Sequence, residues 1–506
     1  MSKLPLLGQS PLLEPYRGPL LSEDEPPRAL KTLARIVDED LCHRCGSCVG
    51  ICPTNVLGRD ENDFPIVENL GACTDCDLCV KVCPGDEFEV ASVAAEQFGY
   101  VPDLGDMHGH FNSAYLSFAS DSALRKDSTS GGLITGLLLH LLEANVIDGA
   151  IVVASDEHDK WKGKPIVARS REELLASTKS KYAIAPTNAV FKEIRAMPGR
   201  YALVGLPCQI HGFHKAAALD KRIKERVVVT IGLFCHAAVE HEPMQEIWNT
   251  IVRDEPRTGK VTRFISRVGK HPGTPHVELE DGTLRPVYFP EARGYRPSSM
   301  EIINILYRLY TPPRCLTCYD STSEFADIAV GDPWMAPPAD DIDFYEGYSF
   351  TLARTGVGEQ MLKAASDAGA IVLRKLEPKA ARTSNTMMGI EKRWRAFRII
   401  ETRRRQGKAV PEYHFETPKA SGKHLLLTEL NMLSHVFCFV KRGRLSVLRF
   451  AFSRWGYALL WLNHKKRIFR NWRRDTAARV SRRVTGAEHV YAAEQSNEPA
   501  LRERNG

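Results

Sequence analysis

Eight of the chain's 13 cysteines fall within residues 42–83, and they repeat one pattern. The first run is Cys42-x2-Cys45-x2-Cys48-x3-Cys52-Pro53, and the second is Cys73-x2-Cys76-x2-Cys79-x3-Cys83-Pro84. Three thiolates spaced every third residue can wrap one iron–sulfur cubane, while the fourth reaches a neighbouring one. The proline after each run stops helix growth and lets the chain cross over. Isolated Cys-x2-Cys pairs often bind zinc, and secreted chains often pair their cysteines as disulfides. Neither use calls for two complete four-cysteine runs, each closed by proline. The spacing therefore predicts two 4Fe-4S clusters, one on Cys42, Cys45, Cys48 and Cys83, the other on Cys73, Cys76, Cys79 and Cys52.

With 506 residues the chain is too long for one core, and about two to four domains are expected. Its 43% hydrophobic and 26% charged residues are those of a globular protein. No apolar run is long enough to span a bilayer, and the N-terminus lacks the features of a secretion signal, so a cytoplasmic start is expected. The net charge of +6 is unevenly placed, because residues 441–483 carry 14 Lys/Arg against one acid, Asp475. The rest of the chain is mildly acidic.

The expected organisation is an extended lead-in over 1–34, a two-cluster ferredoxin-type module over 35–98, an α/β domain over 99–385, a helical basic region over 386–485 and a disordered tail over 486–506. From residue 114 strands and helices alternate: strands near 115–119, 148–154, 201–206 and 227–234, helices near 131–145, 171–177, 187–197 and 209–219. Such alternation predicts an α/β fold with a mainly parallel sheet covered on both faces. Residues 261–265, 277–279 and 284–288, with Asp281-Gly282 between the last two, predict an antiparallel hairpin insertion. A helix near 299–309, a strand at 327–330 and a strand–helix–strand unit through 348–374 complete the domain.

Four more cysteines, Cys208, Cys235, Cys315 and Cys318, lie at or near predicted strand ends, where ligand sites of open α/β sheets sit. Spacing alone leaves core thiols, zinc and iron–sulfur all open, and Cys438, in an apolar helical stretch, reads as a core residue. The segments Ser128-Thr129-Ser130-Gly131-Gly132, Ser180-Lys181-Tyr182, Gly205-Leu206-Pro207-Cys208-Gln209, Leu233-Phe234-Cys235, Cys315-Leu316-Thr317-Cys318 and 326–332 (ADIAVGD) occur in this order. Through them residues 99–375 resemble the beta-subunit family of coenzyme F(420)-reducing hydrogenases and related dehydrogenases, which includes ferredoxin-dependent reductases of chlorophyll intermediates. The resemblance implies an FAD-binding α/β domain and a third 4Fe-4S cluster, on Cys208, Cys235, Cys315 and Cys318.

The Ser128–Gly132 turn before an apolar helix can cradle a phosphate through backbone N–H groups and the hydroxyls of Ser128, Thr129 and Ser130, or it can simply cap the helix. The resemblance tips this segment toward FAD, with Lys181 placed to pair with the pyrophosphate or flavin edge and Tyr182 packed nearby. No catalytic residue can be named; His236 and Glu240 are candidate proton donors, with plain surface roles as the alternative. The expected activity is an iron–sulfur flavoprotein oxidoreductase acting on a two-electron organic substrate and served by a ferredoxin-like or other redox partner. Two alternatives are an electron-input subunit with no substrate of its own and an enzyme whose substrate is the deazaflavin coenzyme F(420). Apolar stretches at 425–440 and 445–462, followed by Lys465, Lys466, Arg467, Arg470, Arg473 and Arg474, suggest docking to an anionic inner membrane face or an acidic protein. Nucleic-acid binding through the same run is the disfavoured reading.

Overall fold

The computed structural model describes residues 26–287, 295–335, 337–419, 422–440, 442–466 and 469. Most of the expected lead-in, the cations from Arg467 onward and the 486–506 tail lie outside the described residues.

The first described element, the helix Arg28–Asp38, crosses the expected lead-in boundary at residue 34. Its Leu30, Leu33 and Ala34 recur at helical spacing and, with Ile36, bury against Val49, Val56 and Val67 of the cysteine-rich module, so the helix belongs to that module. The cysteine runs form short helices, Ser47–Ile51 and Leu78–Lys81, joined by a small antiparallel pair, β1 (Leu57–Arg59) and β2 (Pro65–Val67).

The rest is built on one eight-stranded sheet. Its strands are β3 (Ser113–Ala119), β4 (Gly149–Ser155), β5 (Gly163–Ala168), β6 (Tyr201–Gly205), β7 (Val227–Leu233), β11 (Ile328–Gly331), β12 (Ser349–Ala353) and β13 (Ile371–Leu376). They lie in the order β13-β3-β12-β11-β7-β6-β4-β5. Only the central strands β11, β7, β6 and β4 run parallel to their neighbours; the β5 edge and the β12-β3-β13 flank are antiparallel. The α/β expectation holds, and the sheet is mixed where a mainly parallel one was expected. β12 is buried along its whole length, so it reads like a parallel core strand although it runs the other way. The expected hairpin is a separate three-stranded antiparallel sheet of β8 (Val261–Val268), β9 (Thr274–Leu279) and β10 (Leu284–Pro286).

Alternation along the central strands separates two cores. Ile151, Tyr201, Leu203 and Val227 face the helices Phe191–Ala196, Pro207–Leu219 and Thr386–Arg405, and this layer also takes in Ile51, Val82 and Phe88 of the cysteine-rich module. Ala150, Val152, Ala202 and Ile231 face the helices Leu133–Glu143 and Gly356–Asp367 on the other side. The helix Thr386–Arg405 was expected to open the basic tail. It is instead an internal element, with Lys392, Arg393 and Arg395 almost fully buried.

Polar contacts hold the cysteine-rich module to the sheet domain. Arg44 pairs with Glu240 at 2.6 Å, Lys162 with Asp63 at 3.3 Å, and Arg195 donates to the Ile51 carbonyl at 3.0 Å. The Asn188 N–H donates to the Cys45 carbonyl at 2.9 Å, and the Asn188 side-chain amide donates to Ser47 Oγ at 2.9 Å.

Candidate functional site

The parallel strands β4, β6, β7 and β11 all end on the same rim of the sheet. There the chain turns through Leu206-Pro207 into a helix whose first turn carries Cys208, and Cys235 follows β7 directly. Gln209 fixes the first turn, because its Oε1 accepts from the Leu206 N–H at 2.7 Å and its Nε2 donates to the Ala185 carbonyl at 2.7 Å.

Twelve of the thiols fall into three neighbourhoods. Burial pushes the Cys42 thiol up to about 12, followed by the nearby Cys83 and Cys45. Cys48 is raised by burial and then by Cys42, Cys45, Cys83 and Cys79. Burial likewise raises Cys79 to about 12, followed by Cys52, Cys73 and Cys76. Cys208 is raised by burial and then by Cys45, Cys315, Cys318 and Cys235 together. The neighbourhoods adjoin one another: Cys79 lies near Cys48, and Cys45 links the first to the third. Sulfur-directed N–H groups line the array: Arg44 donates to Cys42 Sγ and Val56 to Cys52 Sγ, both at 3.3 Å. Thiols such as Cys42, Cys48, Cys79 and Cys208, shielded from water and each raised further by neighbouring thiols, are a costly arrangement unless a cation draws the protons off. The donor sets therefore fit thiolate-bound metal clusters.

Two buried cations that the sequence pattern did not single out flank the third set. Lys392 Nζ donates to the carbonyls of Cys235 at 2.7 Å and Asp320 at 2.5 Å. Arg314 donates to the Gly85 carbonyl at 3.0 Å and the Pro84 carbonyl at 3.2 Å, beside Cys83, and to the Tyr413 hydroxyl at 3.2 Å. Such charges can offset the negative charge of a thiolate-ligated cluster.

A cavity of about 350 Å³ opens on the strand-end rim. Ser128, Thr129, Ser130, Gly132, Lys181 and Tyr182 line it, and so do Cys235 and His236. It is of the size expected for a small-molecule or cofactor site. Ser128, Thr129 and Thr187 of the lining carry buried hydroxyls without a hydrogen-bond partner in the protein, polar groups that a ligand could satisfy. They fit a phosphate-bearing cofactor. Gly132, at φ +71°, must be glycine for a local reason: a Cβ there would meet Ser128 Cβ and Oγ at 2.9 Å. Gly131, at φ +81°, turns away from the cavity, and a Cβ on it would lie 2.8 Å from the Gly347 carbonyl. It serves chain packing against β12's lead-in and is the one residue of the turn that does not line the cavity.

Lys181 is in the wall, but its ammonium is engaged by the Ser177 and Thr178 carbonyls at 2.8 and 2.7 Å. Tyr182 is buried, which raises its phenol, and its hydroxyl approaches Met300 Sδ at 4.0 Å. His236 lines the cavity, and burial holds its imidazole well below the usual range. Glu240 is committed to Arg44 and is not part of the lining. Arg267 and Asp332, pairing at 3.0 Å, also line the cavity. Burial opposes the Asp332 carboxylate, yet Arg267, His271 and the Ser130 hydroxyl hold it below the ordinary range. The legible sign of Asp332 was its place just beyond β11 at the rim; nothing in the sequence pointed to Arg267.

Fold and thiol sets together define an iron–sulfur protein in which a 4Fe-4S dicluster module is docked on an α/β domain; residues 34–84 match the 4Fe-4S dicluster domain. Residues 114–192 match the N-terminal part and residues 199–379 the C-terminal part of "Coenzyme F420 hydrogenase/dehydrogenase, beta subunit", and the chain belongs to that family. Among its relatives, the coenzyme F420-dependent sulfite reductase of Methanocaldococcus jannaschii is 28% identical over 68% of this chain, and the match spans 49% of that protein. One of the subunits of the F(420)H(2) dehydrogenase of Methanosarcina mazei is 26% identical over 65% of this chain and 83% of the relative. The coenzyme F420 hydrogenase subunit beta of Methanothermobacter thermautotrophicus is 24% identical over 60% of this chain and 99% of the relative. A chain from the F420-reducing [NiFe] hydrogenase complex of Methanosarcina barkeri is 24% identical with a TM-score of 0.46, covering 62% of this chain and 98% of that one.

Proposed function

We propose that the chain is an oxidoreductase carrying three 4Fe-4S clusters and FAD, and that it couples a one-electron protein donor or acceptor to a two-electron organic substrate. The carrying observation is the position of Cys208. It lies among Cys45 on the module side and Cys235, Cys315 and Cys318 on the rim side, and Cys235 lines the cavity. The first cluster would take Cys42, Cys45, Cys48 and Cys83, the second Cys73, Cys76, Cys79 and Cys52, and the third Cys208, Cys235, Cys315 and Cys318. Ser128, Thr129, Ser130, the backbone at Gly132 and Lys181 would hold the cofactor's phosphates. FAD bound there would supply chemistry that exchanges electrons in pairs with an organic substrate and singly with iron–sulfur centres. The chain's own part is to bind, orient and keep water out, with His236 and the Arg267–Asp332 pair setting the polarity of the wall.

The relatives named for coenzyme F420 favour a second reading, in which the deazaflavin is the substrate. A third is that the chain feeds electrons to a separate catalytic subunit. The test is cofactor analysis of anaerobically purified protein, followed by a screen of acceptors with reduced ferredoxin as donor. FAD and turnover by the lone polypeptide support the leading reading. Reduction or oxidation of F420 selects the second. Absence of flavin overturns both.

Lys181 gives this proposal a pH signature. Burial, and then Arg263, press its ammonium down to about 7. A phosphate beside it would favour the charged form, so binding takes up a proton as pH rises above that value. Below about pH 7 the amine is already charged and binding is strongest; above it the apparent FAD affinity should fall by up to about tenfold per pH unit. Titrating FAD into deflavinated protein at several pH values checks this, and Lys181→Met should bind more weakly with a flat profile.

A further inference from the structure

The C-terminal helices form a platform rather than a loose tail. The helix Gly422–Ser434 packs on Thr386–Arg405, with Arg398 donating to Glu429 at 2.8 Å. Cys438 is buried, as its apolar setting in the sequence suggested, and Leu448 is buried in the core that β8 and the helix Ser299–Tyr310 share. Arg444 pairs with Glu242 and its guanidinium lies 4.4 Å over the Tyr310 ring. The inner side of this segment is thus already satisfied by the protein body.

Its outer side is not. More than half of the large apolar side chains exposed among the described residues lie between Leu425 and Phe469. Leu426, Leu430 and Leu433 recur at i, i+4 and i+7 on one helix; Trp455, Leu459 and Leu462 repeat that spacing on the helix over 454–466. Trp455 is 76% exposed and Leu433 69%. Along the same segment Arg442, Arg449, Arg454, Lys465 and Lys466 are exposed. From Asn431 to Arg474 the sequence holds eleven Lys/Arg and no Asp or Glu.

We infer that this face lies on an anionic lipid bilayer. Apolar stripes of this size are not left to water without a use. The acid-free, cationic stretch from Asn431 to Arg474 opposes a second copy of the same face, and a nucleic acid would use the cations but not the leucine stripes. No helix among the described residues is long and apolar enough to cross a membrane, so the contact is peripheral. Leucines and an exposed tryptophan entering the acyl boundary, with Lys/Arg at headgroup level, match an interfacial site. The inference is independent of the redox reading.

The test is flotation of full-length, cluster-loaded protein with phosphatidylcholine vesicles, with and without phosphatidylglycerol. The protein should float with the anionic vesicles, remain below with the neutral ones, and detach as salt is raised. Trp455→Glu combined with Leu459→Glu, both on the exposed stripe, should weaken flotation by roughly tenfold or more while iron content stays unchanged. Failure of the wild type to float with anionic vesicles overturns the inference, and so does undiminished flotation of the variant. Binding to a soluble polyglutamate but to neither vesicle would assign the face to an acidic protein instead.

Discussion

Cys208→Ala should lower the iron content from about 12 to about 8 per chain and leave the electron paramagnetic resonance signals of the two module clusters in place. The side chain removed is small, so the cost to the fold is about 1 kcal/mol. The cost to the proposed relay is total, because Cys208 is the thiol that stands among Cys45, Cys235, Cys315 and Cys318. Turnover with reduced ferredoxin should vanish although both module clusters still take up electrons. Lys392→Met is a graded companion. It removes the buried cation seated on the Cys235 and Asp320 carbonyls without removing a sulfur. Iron should be retained, with the third cluster's reduction potential shifted to a more negative value. An unchanged iron count in Cys208→Ala, or one zinc per chain in the wild type, would return the four thiols to core or structural-zinc roles.

The parts of this protein that were legible in the sequence are those written in local spacing. Two cysteine runs closed by proline state their chemistry without help from the fold. Strand ends at Cys208 and Cys235 could be placed because hydrophobic runs and the turns after them are local too. Strand direction is not local: the fully buried β12 carries the composition of a parallel strand, and only its partners β11 and β3 reveal that it is antiparallel. The helix His241–Thr258 is hard to read from the sequence because Pro256 and its acidic residues mask Met244, Ile247 and Ile251, which lie in the core. Arg314 and Lys392 were illegible for a different reason. A buried cation looks like a surface cation until the carbonyls it satisfies, far away in sequence, are known. The same holds for Gly131 and Gly132: adjacent glycines suggested one shared purpose, and the fold gave them two.

Gly212→Val should loosen the cysteine-rich module from the sheet domain. Gly212 sits on the helix Pro207–Leu219, where an added Cβ would lie 2.3 Å from Ser47 Oγ and 2.8 Å from Asn188 Nδ2. Those two groups hydrogen-bond each other at 2.9 Å, and the Asn188 amide also donates to the Gln209 carbonyl at 2.8 Å. Ser47 lies between the first-run cysteines Cys45 and Cys48, so a displaced Ser47 carries the first set away from Cys208. Overpacking and the loss of a buried hydrogen bond together should cost about 3 kcal/mol at this interface. The expected result is faster proteolytic release of the module and a steep fall in turnover with reduced ferredoxin, while flavin content stays near wild type. Gly212→Ala should show the same effects more weakly, and adding Ser47→Ala should restore most of the loss, because the nearest obstructing atom is the serine hydroxyl. If Gly212→Val proves as protease-resistant and as active as wild type, the close approach is not what holds the two parts together, and the Arg44–Glu240 and Lys162–Asp63 pairs must carry the docking.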